Sequence, residues 1–164
     1  VFPYLQKNLD DVITVDDEDL IVAFLDMVEN HKMVVENSGL LTVAALKQLD
    51  VKDKKIVSIL SGGNMDVITM SSVVQQGLVF RSRIFTVSVL LPDKPGELVK
   101  VASIIAEANG NVIKLEHNQF VSINRKATVE LRITIEAFGH EHKDMIVKKL
   151  EEAGLRPRIV KVNI

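Results

Sequence analysis

The chain contains no cysteine and no tryptophan. Without thiols it has no disulfide, no thiolate metal site and no thiol nucleophile, which fits the cytoplasm as the expected compartment. Aromatic residues make up only 4%, too few for base-stacking platforms. The 20 basic and 22 acidic residues are interspersed, with a formal net charge of -2 and no basic stripe, so nucleic acid is not expected as a partner. No apolar run reaches the roughly 18 residues that a bilayer span needs. The N-terminus also lacks the basic, apolar, then small-residue order of a signal peptide, and no membrane partner is expected. Val1-Phe2-Pro3-Tyr4 opens the chain without an initiator methionine or a helix cap, and reads as the continuation of something longer.

What is present is apolar material. With 164 residues, 47% of them hydrophobic, the chain can bury one core or two small ones. In the first half, 10–15 is a strand candidate, and Asp16, Asp17, Glu18 and Asp19 then supply a cap and an acidic first turn. Leu20, Ile21, Phe24, Leu25 and Val28 follow at helical spacing to about residue 30, and Leu41, Ala44, Ala45 and Gln48 repeat that spacing over 38–49. The run 56–60 is apolar on both faces, as in a strand covered on both sides. Val67, Met70, Val74 and Leu78 define a third helix, expected to close near Gly77. Strand, helix, helix, strand, helix is an α/β order, but two short strands do not make a sheet of normal size, so further strands are expected upstream.

The texture changes at 80–83. The second half reads as strand 84–91, turn, helix 97–108, strand 111–121, turn, strand 127–138, helix 140–153, strand 156–163. Val129, Leu131, Ile133 and Ile135 alternate with Thr128, Glu130, Arg132 and Thr134, while Leu98, Val101, Ala102, Ile105 and Ala108 form one helix stripe and Ile146, Leu150 and Ala153 another. A βαββαβ order is the α+β ferredoxin-like sandwich, two helices on one face of a four-stranded antiparallel sheet. The expected division is therefore 1–82 and 83–164.

Between the run "IVSIL" and the third helix stand Ser61-Gly62-Gly63-Asn64. A glycine loop before a helix suggests an anion site. Asp66 opposes phosphate there, because a carboxylate in the first turn already answers the helix dipole, and no Gly-x-x-x-x-Gly-Lys-Ser/Thr run is present. A neutral acceptor held by the Ser61 hydroxyl suits the local charge. A tight turn with Asn64 as helix cap is the plainer alternative, and composition alone leaves both open.

The stretches "LDDVITVDDEDL", "NHKMVVENSGLLTVAAL" and "IVSILSGGNMDVIT" resemble the end of the catalytic domain of threonine ammonia-lyases, pyridoxal-phosphate enzymes of the tryptophan-synthase β type. The resemblance implies that 1–82 is an α/β fragment of the catalytic domain. It implies a cofactor-binding set of Ser61, Gly62, Asn64 and Glu36, with the Ser61 hydroxyl on the pyridine nitrogen and Glu36 near the pocket. A serine there leaves the nitrogen closer to neutral than a carboxylate would, which the resemblance ties to eliminating the β-hydroxyl of threonine rather than transaminating. The family's cofactor-anchoring lysine, in a Ser-x-Lys-x-Arg context, and its phosphate loop have no counterpart here. Lys54 and Lys55 read as solvated charges, no catalytic residue is expected in this chain, and the chain alone is expected to be inactive.

Residues 83–164 resemble an ACT domain, the amino-acid-sensing βαββαβ module, most specifically in "LLPDKPGELVKVASIIAEANGNVIKLEH". The resemblance implies effector binding by Asp93, Pro95, Gly96 and Asn111 between two subunits, with isoleucine or valine as effector and a homodimer or homotetramer assembled through this module. Leu91 stands where some family members have a histidine; Asp93 and Asn111 also read as ordinary turn and loop residues. His117, His140 and His142 lack a third ligand at useful spacing, so no metal is expected. The reading is the regulatory C-terminal portion of a threonine ammonia-lyase, which converts threonine to 2-oxobutanoate and ammonia. Its alternatives are a stand-alone amino-acid sensor with a helical adaptor and the tail of a serine dehydratase or racemase.

Overall fold

The computed structural model describes residues 1–118 and 128–162, so the expected turn near 122–126 and the strand ends around it lie outside the described residues. Two compact units result, Val1–Gly77 and Leu78–Ile164. The division falls inside a helix rather than at 82/83. The third predicted helix runs straight through Gly77 to Phe80, and the Leu78 carbonyl accepts the Arg83 N–H at 2.8 Å, tying the last helical turn to the residue just before Ile84.

The first unit is helical. α1 (Phe2–Asn8), absent from the sequence-based expectation, carries Pro3 in its first turn and buries no residue. α2 (Asp17–Asp26) begins where the Asp16 carbonyl accepts the N–H of Asp19 and of Leu20, and it continues into a π-helical turn, Met27–His31. α3 (Asn37–Ala44) passes into a 3-10 turn, Ala45–Gln48, and α4 spans Val67–Phe80. Leu20, Ala23, Phe24, Met27, Val35, Leu40, Ala44 and Val73 form the core. Leu40, not Leu41, faces inward, and Val67 is 77% exposed rather than packed.

Neither predicted strand of this unit forms. A strand exists only as a rung of a ladder, and here the carbonyls meet side chains instead: Gln48 Nε2 donates to Thr14 O at 2.8 Å and Thr42 Oγ1 to Ile59 O at 3.0 Å. Residues 10–15 and 56–60 are thereby held to α3 and its 3-10 extension without strand pairing among the described residues. Val57 and Ile59 are left 89% and 73% exposed.

The second unit is a ferredoxin-like α+β sandwich. β1 (Ile84–Pro92), α5 (Glu97–Glu107), β2 (Asn111–Asn118), β3 (Thr128–Glu136), α6 (His140–Glu152) and β4 (Arg158–Val160) build one sheet in the order β2-β3-β1-β4, antiparallel throughout. β1 pairs β3 from Ile84↔Glu136 to Pro92↔Thr128, and a bulge interrupts β2 between Val112 and Lys114. Phe85, Val87, Val89 and Leu91 meet Val129, Leu131, Ile133 and Ile135 beneath Val101, Ile105, Ile146 and Leu150. Each such burial is worth about 1.5–3 kcal/mol. Leu98 does not join this core; it is 42% exposed on the first turn of α5.

The middle of the sheet's face away from the helices is polar, yet four of its side chains are shielded from water. Thr86, Ser88, Glu130 and Thr134 are all buried there by their neighbours, with Thr86 and Thr134 sharing a hydrogen bond of 2.9 Å between hydroxyls.

Candidate functional site

The Ser-Gly-Gly-Asn loop of the first unit is shaped by the start of α3. Glu36 precedes that helix, and its carboxylate is held at both oxygens: Ser38 Oγ donates to Oε1 at 2.6 Å and the Asn64 N–H to Oε2 at 3.3 Å. The Glu36 N–H in turn donates to Gly62 O at 3.3 Å. Two glycines make this approach possible. A Cβ on Gly39 would penetrate the carbonyl of Ser61, and one on Gly62, where φ is +73°, would lie 2.5 Å from Glu36 Oε1. Ser61, Gly62, Asn64 and Glu36 therefore do come together, and Ser38 and Gly39 belong to the same construction although the sequence reading assigned them no part.

Ser61 is exposed, and among the described residues its hydroxyl has no hydrogen-bond partner, so it is free to donate to an acceptor outside the chain. The cap of α4 is not Asn64 but Asp66, whose Oδ1 accepts the N–H of Ile68 and of Thr69, both at 3.0 Å. The Thr69 hydroxyl and these N–H groups hold the Asp66 carboxyl below its usual range. The loop thus ends on a firm negative charge, which disfavours phosphate and leaves a neutral acceptor as the matching chemistry.

The four predicted effector residues are not brought together within one chain. Asp93, Pro95 and Gly96 follow the Pro92 end of β1, and Gly96 caps α5 with open space where a Cβ would stand. Asn111 begins β2 opposite Glu136, in the row of Ile84 at the other end of the sheet, and donates to Glu136 Oε2 at 3.1 Å. A strand rise of about 3.3 Å per residue separates the two ends by roughly 26 Å. Leu91 lies in the core.

Two of the histidines, His140 and His142, serve the fold. His142 Nδ1 accepts the Phe138 N–H at 3.0 Å, so Nε2 carries the hydrogen and donates to Ala108 O at 2.7 Å. His140 and Ser82 share a hydrogen bond of 3.0 Å, and His117 is exposed on β2. No group of three potential metal ligands occurs among the described residues. No helix among them is long and apolar enough to cross a membrane.

No family model matches the chain. Among curated proteins it is 35% identical over 162 residues to the L-threonine ammonia-lyase of Geobacter sulfurreducens, covering 98% of this chain and 40% of that protein. It is 32% identical over 160 residues to the L-threonine ammonia-lyase of Thermotoga maritima, with 97% and 40% covered. For the biosynthetic L-threonine dehydratase IlvA of Pasteurella multocida the figures are 27% over 157 residues, with 93% and 29% covered. The chain thus spans two fifths or less of the length of these relatives. Among solved structures, prephenate dehydratase from Streptococcus mutans aligns with a TM-score of 0.40 at 22% identity, covering 46% of this chain and 40% of that one. Protein BT0572 from Bacteroides thetaiotaomicron aligns at 0.35 and 22%, with 48% of each chain covered. The fold defines the class: a helical unit followed by a ferredoxin-like βαββαβ sandwich. Within it, the chain is homologous to the C-terminal portion of the threonine ammonia-lyases.

Proposed function

We propose that the chain is the regulatory C-terminal portion of a threonine ammonia-lyase, in which the first unit completes a pyridoxal-phosphate domain and the second senses an amino acid. The 35% identity to such an enzyme along 98% of the chain carries this reading. Bound pyridoxal phosphate supplies the electron sink for loss of ammonia from threonine, giving 2-oxobutanoate. Toward it, Ser61 offers an unengaged hydroxyl for the ring nitrogen. Glu36 positions the loop by gripping Asn64 and Ser38, and Gly62 admits Glu36 by lacking a side chain. The charge on Asp66 favours the ring over the phosphate at this loop. Pyridoxal phosphate added to this chain alone is expected to give neither a new bound-cofactor absorbance band nor threonine turnover.

In the second unit, Asp93, Pro95 and Gly96 of one chain and Asn111 of another would form the effector site, since within one chain they stand at opposite ends of the sheet. A dimer or tetramer is then the binding unit, isoleucine or valine the ligand, and the cytoplasm the setting. Calorimetric titration with isoleucine, valine, serine and threonine, with sedimentation in parallel, tests this. Binding of a branched-chain amino acid by a dimer or larger assembly is expected; silence from all four removes the sensor role. A stand-alone sensor is the second reading, favoured by the second unit's complete core.

A further inference from the structure

We propose that the helix-free face of the second unit's sheet carries a second ligand site, built for a small carboxylate with an apolar body and held by Arg156 and Arg158. This site does not depend on the effector site above, because Asp93, Pro95 and Gly96 lead into α5 on the other face of the sheet.

A cavity of about 580 Å³ opens there, lined by Ser88, Leu90, Glu130, Leu155, Arg156 and Arg158 among others. Its floor pairs opposite charges, although the buried Arg132 Nε makes no well-aligned hydrogen bond among the described residues. Ser88 Oγ donates to Glu130 Oε1 at 2.6 Å, and Arg132 Nε stands 3.1 Å from Glu130 Oε2. These contacts, with Asn118, hold the Glu130 carboxyl below its ordinary value, so it is ionised and already compensated. With its charge already answered by Arg132 and Ser88, it offers little net attraction to an incoming ammonium group. The rim is incomplete. Neither Arg156 nor Arg158 has a side-chain hydrogen bond or ion pair among the described residues. Arg158 pairs with Ser88, which pairs with Arg132, so these two arginines share one cross-strand row on this face, and Arg156 precedes it in the loop.

Two unengaged guanidiniums beside a neutralised floor give the cavity positive charge, and the guanidinium fork matches a carboxylate bidentately. An apolar protein surface laid over them would leave both charges unpaired, at a high desolvation cost. Leu90, Leu155 and Val160 supply an apolar wall, and Leu90 is 60% exposed in the absence of a ligand. The complementary molecule is therefore a monocarboxylate with a short aliphatic body, in preference to a bare inorganic anion or a zwitterion.

Amide resonances of the full chain, followed during titration with 3-methylbutanoate, valine and inorganic phosphate, test the site. 3-Methylbutanoate should move the signals of Ser88, Leu90, Gly154 and Arg158 in roughly the millimolar range. Valine has the same skeleton with an added ammonium group and should move these signals more weakly, whatever it does at Gly96 or Asn111. The double variant Arg156→Ala/Arg158→Ala should bind 3-methylbutanoate about tenfold more weakly. Arg156→Ser, in the loop before β4, should lose several-fold and spares the strand should the double variant fail to fold. The proposal is overturned if these signals do not move, if neither variant weakens binding, or if phosphate or valine binds here as tightly as 3-methylbutanoate.

Discussion

At the scale of single residues, a methyl group separates a formed loop from a broken one. Gly39→Ala would push into the Ser61 carbonyl and should cost the first unit about 1–3 kcal/mol in a urea melt. Ser61→Ala, which removes a hydroxyl with no partner among the described residues, should change stability by less than about 0.5 kcal/mol. A loss at Ser61 equal to that at Gly39 would mean that the hydroxyl serves the fold and not a ligand. In the second unit, Glu130 sits below its ordinary value of 4.5, chiefly through the Ser88 hydrogen bond and then through Arg132. Its contribution is complete above pH 4.5 and is lost as the pH falls through its lowered native value. Glu130→Gln should flatten the acid limb of stability and, at neutral pH, cost about 1–3 kcal/mol. The residue types in the Ser-Gly-Gly-Asn loop were readable in advance. That Gly39 faces Ser61, and that Asp66 rather than Asn64 caps α4, was not, because both depend on which segments approach in space.

At the scale of elements, periodicity served the second unit well. β1, α5 and α6 lie close to their expected spans because alternation and helical stripes there match a core that the same residues build. Ile105→Ala, at a fully buried position, should cost about 2–5 kcal/mol, whereas Leu98→Ala, on the exposed first turn, should cost almost nothing. Equal losses in thermal unfolding would contradict the packing described. His142→Ala removes two hydrogen bonds that pin α6 to the ends of α5 and β3, with an expected loss of about 1–3 kcal/mol. The runs at 10–15 and 56–60 read as strands and are not, since β-propensity describes a fit to neighbouring strands and not a property of the segment. There the backbone carbonyls settled on Gln48 and Thr42.

At the scale of the whole molecule, the two units differ in completeness. Residues 78–164 carry two helices packed on a four-stranded sheet, and this segment expressed alone should keep the amide spectrum it shows in the full chain. Residues 1–77 leave Phe2, Tyr4, Val12, Val57 and Ile59 largely exposed, and that segment alone should aggregate or bind apolar dyes. By itself the sequence determined the βαββαβ order, the alternating core of β3 and the relation to threonine ammonia-lyases, because local periodicity and residue-by-residue identity need no knowledge of what lies across the sheet. Only the tertiary structure decided that Asn111 stands at the far end of the sheet from Gly96. It likewise decided that Ser88, Glu130 and Arg132 meet on a buried polar face beside Arg156 and Arg158. Such placements follow from strand pairing between segments distant along the chain, and register is set by packing rather than by any local pattern.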